Sequence, residues 1–323
     1  MTTAPSLKPL RIANHLGPEI SAVLAAHPSA PEVVDFYKGH PVWDLPDGID
    51  ALVTGAHLWK GAPEGVSIPK SLRWVQSVSA GVETYPPSLL ADRVVTCGRG
   101  LTAVPIAEYV LSAIVHDRKP FAPLVVQDSG WGSFKEGDGL PLLAGQTVGL
   151  VGFGAINQEV AKRARAFDMR VLATRRGAWS GASGGVEPRP DAAAVAAESD
   201  YLVVAVPSTP QTRGMIGAEL FAAAREGLHL INVARGALVD QEALLQALQS
   251  GRLRRATLDV TDPEPLPDGH PLYHHPAVTI TPHISWKDGN GMAPFKDQLL
   301  RNLDAWLAGG RDMINRVDPE RGY

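Results

Sequence analysis

Thr147-Val148-Gly149-Leu150-Val151-Gly152-Phe153-Gly154-Ala155-Ile156-Asn157 is the stretch from which the fold is read. Its first five residues form the short apolar run of a buried strand, and from Ala155 to Phe167 the spacing turns helical. Two glycines stand between. Gly152 permits a tight turn, and Gly154 lets an anionic ligand approach the backbone. The helix start then offers unpaired N–H groups, those of Ala155 and Ile156 among them, and the positive end of its dipole. Strand, turn and helix in this order are expected to hold the pyrophosphate of a dinucleotide. Asn157 stands where a third glycine serves helix–strand packing, which suggests slightly looser packing there.

The next strand-like run, Arg170 to Thr174, chooses between dinucleotides. A site for NAD carries an acidic residue about 20 residues after the glycine turn, to bond the ribose 2′-hydroxyl. Here Thr174 is followed by Arg175 and Arg176. Guanidinium groups bind a 2′-phosphate through charge-assisted bonds worth about 1.5–3 kcal/mol each, whereas a carboxylate repels it. NADPH is therefore expected over NADH, with NADH the alternative.

Working outward, short β-type runs alternate with helical runs along the whole chain, the pattern of parallel α/β sheets. Before the glycine turn the strands are Leu10 to Asn14, Glu32 to Phe36, Ala51 to Thr54, Leu72 to Val78 and Val94 to Cys97, with a helix over Pro18 to Ala26. A longer helical run, Val104 to Asp117, reads as a hinge or interface helix. The polar, glycine-rich segment Gln127 to Gly139 reads as a crossing between domains.

After the turn, Arg175 to Pro190 reads as loop. Helices are expected over Asp191 to Glu198, Ala218 to Arg225 and Asp240 to Gln249, with Asp240 at an N-cap. Strands are expected over Tyr201 to Val206, Leu228 to Val233, Ala256 to Val260 and Val278 to Thr281. The last amphipathic helix, Phe295 to Leu307, is expected to pack back on the first domain. The domains read as 1–100 plus 287–323, interrupted by 101–286.

Bulk properties narrow the function. At 323 residues the chain is long enough for two domains, and with 45% apolar and 20% charged residues it has an ordinary globular composition. A net charge of −4 provides no electrostatic reason to bind nucleic acid or an anionic membrane. The single cysteine, Cys97, excludes an internal disulfide and reads as a buried strand residue. No segment approaches the ~20 apolar residues of a membrane span, and MTTAPSLKPL lacks the layout of a signal peptide, so a cytoplasmic protein is expected.

Three residues follow successive strands beyond the glycine turn. Arg235, in Ile231-Asn232-Val233-Ala234-Arg235-Gly236, can fork onto a substrate carboxylate and polarise the adjacent carbonyl. Glu264 lies between two prolines, and His283 follows in Thr281-Pro282-His283. A carboxylate against an imidazole fixes its tautomer and favours its protonated form, which can protonate a carbonyl oxygen as hydride reaches carbon. His270, His274 and His275 sit in a loop rich in Pro, Asp and Gly, so no metal is expected.

The stretches VGLVGFGAINQEVA, VPSTPQTRGMI, INVARGALVDQEAL, LDVTDPEPLP and TPHIS together resemble the D-isomer-specific 2-hydroxyacid dehydrogenases, over nearly the whole chain. That resemblance implies two doubly wound parallel-sheet domains, a Rossmann cofactor domain inserted into a flavodoxin-like substrate domain. It implies Arg235, Glu264 and His283 as the catalytic residues. Asp259 would face the nicotinamide amide, while Pro207, Thr209, Thr212, Val233 and Ala234 would border the cofactor. The backbone of Ser79, Ala80 and Gly81 would hold the substrate carboxylate. The region of helix Val104 to Asp117, which carries Glu108, exchanges across a two-fold interface in the family, so a homodimer is implied.

Departures from the family pattern refine these expectations. Arg175 replaces the acid of NAD-using members, as in the NADPH-using glyoxylate/hydroxypyruvate reductases. Glu264 stands where formate dehydrogenases carry glutamine. Trp286 is bulkier than the small residues common at its place and is a candidate to cap the substrate pocket. The leading expectation is NADPH-dependent reduction of a small 2-oxo acid, glyoxylate- or hydroxypyruvate-like, to the D-2-hydroxy acid. The alternative is a nucleotide-binding sensor, since the family also resembles corepressors that keep the three residues.

Overall fold

The computed structural model describes residues 8–37, 39–125, 139–179, 184–289 and 291–318. Of the segment read as a crossing, Gln127 to Gly139, all but Gly139 lies outside the described residues. The chain divides into two units, Met1–Leu101 with Gly289–Tyr323, and Thr102–Asp288.

In the first unit, strands β1 (Arg11–Asn14), β2 (Glu32–Asp35), β3 (Ala51–Thr54), β4 (Trp74–Ser77) and β5 (Val94–Thr96) are joined by helices that include α1 (Pro18–Ala25) and α2 (Pro87–Leu90). They pair in parallel in the order β2-β1-β3-β4-β5. Every residue of β3 and β4 is buried. This is why both read as short continuous runs rather than alternating ones: parallel strands are covered on both faces. Cys97 is buried as expected.

The second unit opens with α3 (Ala103–Arg118) and continues through β6 (Thr147–Val151), α4 (Ala155–Ala166), β7 (Arg170–Thr174), β8 (Val186–Pro188), α5 (Ala192–Glu198) and β9 (Tyr201–Val204). After these come α6 (Ala218–Ala223), β10 (Leu228–Asn232), α7 (Gln241–Gln249), β11 (Leu253–Leu258), α8 (Pro271–His274) and β12 (Val278–Ile280). All are parallel, in the order β12-β11-β10-β9-β6-β7-β8. Strand order therefore reverses between β6 and β9, where doubly wound sheets bind ligands beyond their carboxyl ends. Side-chain alternation along β9 separates the two faces. Tyr201 and Val203 pack with α3 and α4, while Leu202 and Val204 pack with α5, α6 and α7. Asp191 and Asp240 cap α5 and α7 by accepting from Ala194 N (2.8 Å) and Ala243 N (3.0 Å), worth about 1 kcal/mol each.

Two expectations need correction. The segment Arg175 to Pro190, read as loop, contains β8: Val186 is buried against β7, and Pro188 is tolerated because β8 is an edge strand. Glycines before it and the proline within it masked the signal. The strand read as Ala256 to Val260 runs instead from Leu253 to Leu258, because Arg254 and Arg255 belong to it. Their guanidiniums reach Asp117 of α3 at 2.6 and 3.2 Å, and Tyr201 also donates to Asp117 at 2.9 Å. Burial by itself would raise the Asp117 carboxyl, yet Arg254 and the nearby His229 hold it well below the usual carboxylate range.

Finally α9 (Ala293–Leu307) rejoins the first unit. Its Phe295, Leu299 and Leu303 pack with Ile12, Ile20, Leu24, Val53 and Trp74. Asn302 fixes it further, donating to Gln76 Oε1 at 2.8 Å.

Candidate active site

Gly152 follows β6 with φ +85°, and a Cβ added there would sit 2.6 Å from Val206 Cγ1 and 2.8 Å from Ala205 O. Only glycine suits both the dihedral and this close approach to the chain leaving β9. Gly154 is the exposed N-cap of α4 and supplies no side-chain acceptor to its first turn. The N–H groups of Ala155 and Ile156 are thus left to a ligand at the positive end of a 12-residue helix. This turn fits the pyrophosphate of a dinucleotide.

Asn157 departs from the expectation of looser packing. It is fully buried, and its Nδ2 donates to Gly152 O at 2.7 Å and to Val151 O at 3.2 Å. The amide ties the helix to the turn by hydrogen bonds where glycine would do so by closeness.

At the end of β7, Thr174 Oγ1 donates to Pro190 O at 3.4 Å, and Arg175 and Arg176 are exposed. The Arg175 guanidinium lies over the Trp179 ring, 6.0 Å from its centroid. Beyond β9, Thr212 Oγ1 accepts from Thr209 N at 2.8 Å and donates to Pro207 O at 2.7 Å, so Thr212 closes this turn upon itself.

The three candidate catalytic residues leave the carboxyl ends of the adjacent strands β10, β11 and β12. Asn232, fully buried at the end of β10, shapes the first turn. Its Oδ1 accepts from Ala234 N at 3.1 Å, and its Nδ2 donates to Arg235 O at 2.9 Å. Val233 and Ala234 are buried within that turn. Arg235 Nη1 donates to the Ala234 carbonyl at 2.7 Å. A Cβ on Gly236 would fall 1.9 Å from Thr261 C, so glycine is what lets the Arg235 turn lie directly on the backbone leading to Glu264.

His283 sits at φ +50°. Its N–H donates to Asp259 O and Thr281 O, both at 2.9 Å, and its carbonyl accepts from Trp286 Nε1 at 2.8 Å. Its Nδ1 lies 2.7 Å from Glu264 Oε1. An ionised carboxylate only accepts, so Nδ1 carries the hydrogen and Nε2 is the nitrogen left for proton exchange. Both side chains are partly exposed, 37% and 43%.

Asp259 is 1% exposed, and its two oxygens serve the turn carrying His283. Oδ1 accepts from Thr281 Oγ1 at 2.6 Å and Ile284 N at 2.9 Å, and Oδ2 accepts from Ser285 N at 3.0 Å. Tyr109, on α3, meets Thr281 Oγ1 at 2.6 Å. Since the Thr281 proton goes to Asp259, the Tyr109 hydroxyl is the donor. Sequence reasoning missed Asn232, Gly236, Thr281 and Tyr109. Only the polar Asn232 closing an apolar strand offered a signal.

Ser79, Ala80 and Gly81 belong to the other unit, just beyond β4. Ser79 N donates to Ser77 Oγ at 3.0 Å, and Ser79 Oγ accepts from Ala56 N at 3.0 Å. His270 and His275 are occupied locally, accepting from Leu272 N at 3.3 Å and Ala277 N at 3.2 Å. Among the described residues no cluster of three or more His, Cys, Asp or Glu side chains could hold a metal ion, and no helix is long and apolar enough to cross a membrane.

Residues 121–285 match the family model described as D-isomer specific 2-hydroxyacid dehydrogenase, NAD binding domain. Glycerate dehydrogenase of Methylorubrum extorquens is 34% identical over 68% of this chain and 73% of its own length. Glyoxylate/hydroxypyruvate reductase A of Serratia proteamaculans is 34% identical over 85% and 90%. The crystal structure of the NADPH-dependent glyoxylate/hydroxypyruvate reductase of Sinorhizobium meliloti, in complex with NADP and sulfate, superposes with a TM-score of 0.79 at 27% identity, covering 98% of this chain and all of that one. The fold and site define an oxidoreductase that uses a nicotinamide cofactor. The chain belongs to the D-isomer specific 2-hydroxyacid dehydrogenase family.

Proposed function

We propose that this enzyme reduces a small 2-oxo acid of the glyoxylate or hydroxypyruvate kind to the D-2-hydroxy acid, with NADPH in preference to NADH. The observation that carries the reading is the Glu264–His283 pair, 2.7 Å apart and two strands from the Arg235 turn in a sheet with a dinucleotide turn at its switch point. The relatives named as glyoxylate/hydroxypyruvate reductases support the substrate class. Arg175 and Arg176, where an NAD site carries an acid, support NADPH.

A bound nicotinamide supplies hydride to the carbonyl carbon. Arg235 binds the substrate carboxylate and orients its carbonyl, and the positive charge stabilises the oxygen as negative charge grows there. His283 holds a proton on Nε2 and delivers it to that oxygen, while Glu264 keeps the ring oriented through Nδ1 and stabilises the imidazolium. Asp259 holds the turn from which His283 acts. In this reading Thr102–Asp288 is the dinucleotide-binding domain, and the other unit, which carries Ser79–Gly81, is the substrate domain. The chain acts as a homodimer through the α3 region, supported by the exposed Phe121 and Val125 just beyond that helix.

Initial rates with NADPH and NADH, across glyoxylate, hydroxypyruvate, pyruvate and phenylpyruvate, test the proposal. Fast NADPH-dependent turnover on the smaller acids, lowered about 100-fold or more in His283→Ala, is expected. NADPH binding without turnover on any of them would overturn it.

A further inference from the structure

Val151 and Thr174 are register partners at the carboxyl ends of β6 and β7. Two residues past Val151 comes Phe153, between the glycines of the phosphate turn, and one past Thr174 comes Arg175. The Trp179 ring joins the two. It packs on Phe153 with centroids 5.1 Å apart and planes tilted by 39°, and the Arg175 guanidinium lies 6.0 Å from the ring centroid. An exposed arginine has several rotatable bonds and loses side-chain entropy when a ligand orders it. An aromatic face that already holds the guanidinium lowers that cost, and the ring is itself anchored to the phosphate turn.

We propose that Trp179 is a specificity-determining positioning residue, holding Arg175 where the 2′-phosphate of the cofactor's adenosine binds. The proposal rests on the NADPH reading and adds to it a residue that recognises nothing itself. Its effect is confined to ligands bearing the 2′-phosphate. An adenine shelf or a fold support would act on all adenine ligands alike.

The test is calorimetric binding of 2′,5′-ADP and of 5′-AMP to the full chain. Trp179→Ala is expected to weaken 2′,5′-ADP about two- to five-fold, the size of an exposed cation–π contact, and to leave 5′-AMP unchanged. Unchanged 5′-AMP binding also shows that the variant is folded. Trp179→Phe, which keeps an aromatic face, is expected to restore most of the loss. In an Arg175→Ala background, Trp179→Ala should have no further effect on 2′,5′-ADP. Equal weakening of both probes, or an undiminished preference for 2′,5′-ADP in Trp179→Ala, would overturn the proposal alone. A wild-type chain without that preference would overturn the NADPH reading, and the proposal with it.

Discussion

Tyr109 and Thr281 meet hydroxyl to hydroxyl at 2.6 Å, joining α3 to the turn that carries His283. Thr281 in turn donates a hydrogen bond to the buried Asp259, which accepts from the Ile284 and Ser285 amides. Tyr109 is thus the outer end of a hydrogen-bonded chain that holds the catalytic turn. Tyr109→Phe should cost about 1 kcal/mol of stability and lower kcat more than it raises KM. Denaturant titration beside steady-state kinetics checks both, and unaltered kinetics would show that the turn stands without Tyr109.

Gly236→Ala places a methyl group within 1.9 Å of the Thr261 carbonyl carbon. The backbones must part, and the Arg235 turn moves with them. Loss of several degrees in Tm is expected together with a sharp fall in kcat/KM, since small misplacements of a binding arginine are costly. A variant with wild-type kcat/KM would refute the close packing.

Glu264→Gln keeps the shape of the partner at 2.7 Å from His283 but removes its charge. The imidazolium then lacks its counter-charge, so kcat should fall while KM and cofactor affinity stay near wild type. His283→Ala should cost about 100- to 10,000-fold, the range for a positioned proton donor. Equal rates in Glu264→Gln and wild type would remove Glu264 from the proton-transfer pair.

Arg175→Asp should reverse the cofactor preference. Losing a charge-assisted bond of about 1.5–3 kcal/mol corresponds to roughly 10- to 150-fold weaker NADPH binding, while the new carboxylate can accept from a ribose 2′-hydroxyl. Dissociation constants for both cofactors decide it; a wild type that already prefers NADH would contradict the reading.

Burial lowers the His15 imidazole from 6.5 to about 4. Between those values the unfolded chain takes up a proton that the folded chain does not. The folded state therefore has its full advantage from this group above about 6.5 and loses it as pH falls toward about 4, by at most about 1.4 kcal/mol per pH unit. His15→Gln should flatten the fall in stability across this window. Urea unfolding of both proteins at several pH values checks it, and parallel curves would exclude His15 as a cause.

Local patterns made much of the second unit legible. The glycine turn, the strand–helix alternation, the Asp191 and Asp240 caps and the candidates Arg235, Glu264 and His283 each rest on residues close in sequence, where turn chemistry and hydrophobic period are decided. β8 was not legible because three residues carry too little period beside glycines and a proline. Arg254 and Arg255 hid the start of β11 because their charges are satisfied by Asp117, far away in sequence on α3. Asn157 misled because its amide bonds to the backbone of the turn, which no spacing rule reveals.

By itself the amino-acid sequence determined the class of fold, the phosphate turn and the residue types available for proton transfer and anion binding. Tertiary structure alone decided that β10, β11 and β12 lie side by side, that Gly236 lets two turns touch, and that Asp259 holds the His283 turn. The division has a physical cause. Backbone dihedrals and caps depend on neighbours along the chain, whereas strand order and hydrogen bonds between distant side chains exist only once the sheet has closed around its core.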